Sequence, residues 1–257
     1  MNAALAEILP LVSAALWHGI TVFLRVAVLV SFVPAFGEQS VPMRVKLMLA
    51  LAFTVVTAPA IPVSAIEPAL DAIAWLAVTE TVAGLILGLG LRLFILGLQT
   101  AGSIAAQSTS LSQILGGAVA DPLPAMGYAL IIGGLALAVM SGVHVKAAEL
   151  VILSYDLLPM GTLPKGSAVS RWGLDQIRHA FSLAFTLAAP FVILSVLYNL
   201  ALGAINKAMP QLMVAFVGAP VITAAGVVLL FLTAPLILSV WMASLDHFLA
   251  NPFSARR

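Results

Sequence analysis

The sequence predicts an all-α, membrane-associated protein with interrupted helices, and three observations lead there. Apolar residues make up 62% of the 257 positions and charged residues only 8%, against roughly 25% charged in ordinary globular domains. The mean hydropathy is +1.15. Such a chain cannot dress a soluble surface, so it is an integral membrane protein or a subunit sunk deeply in a membrane-associated complex. The third observation is a series of apolar runs of helical length, several broken by proline or dotted with glycine.

The first run, residues 8–34, follows an N-terminus without a basic region and with an acidic Glu7. A cleavable signal peptide has a basic start, so this run is expected to stay in the mature protein. The second, 47–61, falls short of the about 20 apolar residues that a hydrocarbon core of ~30 Å requires. The third, 72–98, is too long for one straight span. Its Gly84 and Gly88 form a GxxxG, continued by Gly90 and Gly97, which reads as ordinary close packing of membrane helices. The fourth, 126–158, has room for two short helices. The fifth, 181–206, contains Pro190, and the sixth, 212–245, contains Pro220 and Pro235. Proline removes a backbone donor and clashes with the preceding turn, so kinks or breaks are expected at all three.

Between the third and fourth runs lies QTAGSIAAQSTSLSQILGGAVADP, residues 99–122, uncharged until Asp121. It is too polar for a lipid-facing helix and lacks the charge of a solvated loop. Non-helical polar backbone at membrane depth is tolerated only where protein buries it or where it lines a watery passage. Two readings stand: the segment lines and blocks such a passage, or it is a small-residue helix hairpin packed on its neighbours. Asp121-Pro122 reads as a turn and helix start.

Three charges lie inside the apolar runs: Arg25, Glu80 and Arg92. Each costs about 2.5–3.5 kcal/mol at a helix centre on insertion scales, so each should face protein or water. Glu80 and Arg92 stand about 18 Å apart along one helix and cannot pair with each other. Structural ion pairs to another helix or subunit are the expectation. Positive charge in alternate loops is nearly balanced: Arg44, Lys46 and Lys207 on one side, and Lys165, Arg171, Arg178, Arg256 and Arg257 on the other. That weak bias means either a miscounted helix or an unusual passage through the bilayer. The polar connection 159–179 reads as a solvated face, or as a docking surface.

Known chemistry is absent from the sequence. No cysteine is present, which excludes disulfides, thiolate metal sites and thiol catalysis. His18, His144, His179 and His247 form no HExxH, and no P-loop, GxSxG or dinucleotide fingerprint occurs. No cofactor, metal or enzyme activity is expected. No basic face with interleaved aromatics occurs either, so no nucleic-acid partner is expected.

Several phrases resemble the FliR family of flagellar export-gate proteins. LRVAVLVSFVPAFGEQSVPMRVKLMLALAFT (24–54) is similar to that family's Arg…Pro-x-Phe-Gly…Val-Pro…Arg-x-Lys signature. The similarity runs on through AGSIAAQSTSLSQILGGAVADP and SGVHVKAAELVILSYDLLPMG to INKAMPQLMVAFVGAPV (205–221). The sequence departs at Lys207, where another basic residue is common, and at Ser141-Gly142-Val143-His144, where Asn-Gly-His-His is more usual. No histidine-specific function is therefore assigned. The injectisome counterpart SctT shares the family, and PAFGEQSVP resembles the flagellar branch.

The resemblance implies a non-enzymatic subunit of the type III secretion export gate in the bacterial inner membrane, at the flagellar basal body. It implies tilted, broken helical hairpins, a FliP-like part (about 1–180) and then a FliQ-like part (about 181–257). It implies an array lying largely above the bilayer, assembled with FliP-like and FliQ-like subunits. FlhB-like and FlhA-like export proteins, and unfolded flagellar proteins as cargo, are the further partners implied. It also implies that the segment 99–122 plugs the closed channel. On that reading Ser103, Ser108, Thr109, Ser110, Ser112, Gly116 and Gly117 are small enough to let the plug move aside. Ile104, Leu111, Ile114 and Leu115 supply an apolar seal, and Gln99, Gln107 and Gln113 complete the neutral lining. The competing reading is a secondary transporter with broken helices at its midplane, using Arg25, Glu80 and Arg92 as its site.

Overall fold

The computed structural model describes residues 2–62, 70–109, 125–209 and 214–253, and among these no strand occurs. Seven helices follow one another: α1 (Asn2–Val30), α2 (Met43–Thr57), α3 (Leu70–Thr109), α4 (Ala125–Met140), α5 (Val143–Leu157), α6 (Gly166–Ala208) and α7 (Val214–Ala250). Five stretches, in α1, α2 with its trailing 3-10 turn, α3, α6 and α7, are long and apolar enough to cross a membrane. The bent pair α4–α5 passes the same test together.

Local chemistry sets the ends of these elements. α2 starts after Pro42, whose carbonyl accepts from the amides of Val45 and Lys46. It ends where Pro59 enforces a 3-10 turn over Ala58–Ala60. The expected division of 126–158 into two short helices occurs at Ser141-Gly142, where the chain bends by 71°. Gly142 takes φ +76° there, a left-handed conformation that costs a Cβ-bearing residue about 1–2 kcal/mol.

At two places the structure decides what the sequence left open. Helices α6 and α7 run on through Pro190, Pro220 and Pro235, so of the kinks or breaks expected there no break occurs. A proline forfeits one ladder bond, and the turns on either side hold the helix together. The second concerns 99–109, left open between a non-helical lining and a small-residue helix, which forms the last three turns of α3. Hydroxyls there bond back along their own helix: Thr100 Oγ1 donates to the Leu96 carbonyl at 2.8 Å, and Ser108 Oγ to that of Ala105 at 2.8 Å. Such bonds satisfy the polar atoms without water, and Ala101, Ala105 and Ala106 are good helix formers.

The chain divides into two compact units. The first comprises 1–92, 138–174 and 246–257, and the second 93–137 and 175–245. In the first, Val22, Val26 and Leu29 of α1 are fully buried, as are Leu87 and Leu91 of α3 and Leu150 and Val151 of α5. α1 and α3 approach closely, because a Cβ on Gly84 would meet the Arg25 carbonyl oxygen at 2.7 Å. In the second unit, Leu98, Phe191 and Trp241 form the centre. The Trp241 indole N–H donates to the Phe94 carbonyl at 2.9 Å.

Candidate functional site

The end of α3 is fixed by small residues. Gly102 lies against Gly127 of α4 so closely that a Cβ on Gly102 would collide with the Gly127 backbone. Seven residues on, Thr109 is buried and bonds back to the Ala105 carbonyl at 3.1 Å. α7 packs on the same residue: a Cβ on Gly226 would meet Thr109 Cγ2 at 2.8 Å. Thr223 Oγ1 donates to the Thr109 carbonyl at 3.5 Å, and Thr109 Oγ1 lies 3.9 Å from Met126 Sδ. Thr109 and Met126, on either side of 110–124, are thus in contact, and α3, α4 and α7 meet there.

The candidate lining residues divide at this contact. Gln99, Ser103, Ile104 and Ser108 are half-buried on α3, Gln107 is exposed and Thr109 is buried. Ser110, Leu111, Ser112, Gln113, Ile114, Leu115, Gly116 and Gly117 lie outside the described residues.

The buried charges form a separate cluster in the first unit. Arg25 Nε donates to Glu80 Oε2 at 2.8 Å, and their side chains are 1% and 0% exposed. The other nitrogens of Arg25 reach Ser154 Oγ at 3.0 Å and the Leu158 carbonyl at 2.9 Å. Its guanidinium carbon sits 3.7 Å from the centre of the Tyr155 ring, a cation–π contact. The second oxygen of Glu80 accepts from the Gly161 amide at 3.1 Å. Both ions are therefore hydrogen-bonded on every side that the chain offers. This network ties α1, α3, α5 and the α5–α6 turn together. Arg92 pairs with Glu38 at 3.2 Å, with side chains 28% and 19% exposed. All three charges thus lie in ion pairs with side chains of other segments of the chain.

Sequence reasoning did not find the partners of these charges. Ser154, Tyr155 and Gly161 all lie in SYDLLPMG, with Ser154 and Tyr155 three and two residues before the end of α5. Glu38 was legible only as part of the PAFGEQS turn. Lys146 with Asp246, 2.7 Å apart, was not anticipated at all. Of the histidines, His144 is exposed, His18 bonds the Ala58 carbonyl and His179 bonds Ser244. Among the described residues no three His, Asp or Glu side chains gather as metal ligands would.

The model of a family described as bacterial export proteins, family 1, matches residues 16–248. The chain is 30% identical over 224 residues to the flagellar biosynthetic protein FliR of Caulobacter vibrioides, covering 86% of this chain and 89% of that one. It is 31% identical over 223 residues to FliR of Escherichia coli, with 83% of each chain covered. Against FliR of Aquifex aeolicus the identity is 28% over 234 residues, covering 85% and 86%.

Proposed function

Since the chain belongs to the FliR family, family 1 of the bacterial export proteins, we propose that it is a non-enzymatic subunit of the flagellar protein export gate, and that residues 99–117 line and stop its channel. Membership carries a role in flagellar protein export. The finer reading adds a conduit shared with FliP-like and FliQ-like subunits in the inner membrane at the flagellar basal body. FlhB-like and FlhA-like proteins stand beside it, and unfolded flagellar proteins are its cargo. On this reading residues 1–180 play the FliP-like part and 181–257 the FliQ-like part.

The observation that carries the stopper is the contact at Thr109. A movable insert needs a fixed base, and here the flanks of 110–124 are held by glycine contacts and a threonine that bonds back into α3. Residues 110–117 carry no charge and combine Ser110, Ser112, Gly116 and Gly117 with the apolar Leu111, Ile114 and Leu115, which suits passage of unfolded chains without a tight stop. The transporter alternative loses support, because Arg25 and Glu80 are spent on each other and on the backbone.

The test is deletion of residues 110–117 in a chain co-expressed with its partner subunits. The assembled complex should then leak small ions that the wild type retains. Unchanged permeability in a complex that still assembles would overturn the stopper, whereas failure to co-purify with any FliP-like chain would overturn the gate itself.

A further inference from the structure

We propose that a cavity beside the α5–α6 turn binds one acyl chain of an anionic phospholipid, with the lipid phosphate on Lys165. The cavity measures about 450 Å³, inside the roughly 300–1,000 Å³ range of small-molecule sites. Its wall is apolar: Ile86 from α3, Leu158 from the turn, Val169 and Trp172 from α6, and Phe253 after α7. Lys165 also lines it, and its side chain is exposed.

The charge of Lys165 is unanswered. It takes part in none of the ion pairs among the described residues. It also stands at the start of α6, where its carbonyl accepts from the amides of Ala168 at 2.9 Å and Val169 at 3.1 Å. The N-terminus of a helix is already positive, and the first turn of α6 carries no acidic residue. A cation at the positive end of a helix, beside an apolar hole, is matched by an amphiphile with an anionic head. A free phosphate would leave the hole empty, and a hydrocarbon would leave the charge unmet.

Two tryptophans mark the level of this site. The Trp172 N–H donates to the Pro252 carbonyl at 2.7 Å, and its ring lies 5.5 Å from that of Phe253. The Trp75 N–H donates to the Gly161 carbonyl of the same turn at 2.9 Å. Trp172 is half-buried and Trp75 exposed, and indoles that bond loop backbone while presenting ring surface outward are typical of the membrane–water interface. With five helices long enough to cross a membrane, phospholipid is the amphiphile at hand.

Binding can be read from tryptophan fluorescence, independently of whether any channel is stopped. The protein is purified from membranes in an uncharged detergent, together with the chains that accompany it, and titrated with dibrominated phosphatidylglycerol or phosphatidylcholine. Quenching that disappears in Trp172→Phe is the signal from this site. It should saturate, with phosphatidylglycerol favoured by about fivefold, the effect of one surface cation. Lys165→Gln should abolish that preference, and Ala168→Phe, which fills the cavity from an exposed position, should abolish the saturable signal. Equal affinity for the two headgroups would overturn the proposal, as would saturable quenching that survives Ala168→Phe. Quenching seen in the isolated chain but not in the complex would assign the cavity to a protein partner, and the proposal would fail.

Discussion

At the scale of single residues, the buried pair of Arg25 and Glu80 sets the largest expected effect. Removing one member of a buried pair costs about 3–5 kcal/mol, because the other charge stays behind unpaired. Arg25→Met leaves the Glu80 carboxylate with only the Gly161 amide, and should lower the thermal midpoint of the detergent-solubilised protein sharply. Glu80→Gln keeps one acceptor oxygen of the two, and Arg25 still has Ser154 Oγ, the Leu158 carbonyl and the Tyr155 ring, so it should be milder. Equal midpoints for the two variants would refute this account of the network. The PAFGEQS turn offers a stabilising counterpart. Ala35 has φ +72° without being glycine, a left-handed conformation costing about 1–2 kcal/mol. Ala35→Gly should gain about 0.5–1 kcal/mol once the extra freedom of the unfolded glycine is counted. Gly37→Ala should do the reverse, since its Cβ would strike the Ser31 carbonyl. The sequence made the charges conspicuous but hid their partners, because a carbonyl at Leu158 and an amide at Gly161 leave no trace in side-chain chemistry.

At the scale of elements, the contact between Gly102 and Gly127 makes an asymmetric prediction. A Cβ on Gly102 would collide with the Gly127 backbone, whereas a Cβ on Gly127 would sit 3.4 Å from the nearest atom, an ordinary contact. Gly102→Ala must push α3 and α4 apart, at about 1–3 kcal/mol. Gly127→Ala lies inside α4 and should be neutral, or stabilising through helix propensity. Thermal midpoints of the two variants test this, and similar losses for both would show that the helix contact is not as close as described. Helix positions were legible here because long apolar runs need only length and hydropathy to be recognised. The helical state of 99–109 was legible only as one of two readings, because its Ser, Thr and Gly content reads as readily as loop. The polarity vanishes once Thr100, Ser108 and Thr109 bond to carbonyls of their own helix. The prolines mark no break, since one missing ladder bond does not end a helix of 43 residues.

At the scale of the whole molecule, helix length and exposed surface point to burial by something other than this chain. At 1.5 Å per residue, the 40 residues of α3 and the 43 of α6 reach about 60 Å or more. That is twice a hydrocarbon core of ~30 Å, so these helices extend well beyond the bilayer or lie strongly tilted in it. Their outward sides are nonetheless apolar. Phe181, Phe185, Leu197 and Leu200 on α6 and Phe231 and Leu232 on α7 are each more than half exposed. Exposed apolar area on that scale is covered in the working state, by lipid or by partner subunits. The absence of cysteine allows this to be measured residue by residue without background. In the assembled complex, Leu200→Cys and Phe231→Cys should resist a membrane-impermeant maleimide. Gln107→Cys, exposed on the last turns of α3, should react if that end of the helix faces an aqueous passage. Rapid labelling at Leu200 and Phe231 would mean that neither lipid nor partner covers these faces. Protection at Gln107, in a complex where denaturation restores full reactivity, would place the end of α3 in a dry interface and leave the stopper without a watery channel to close.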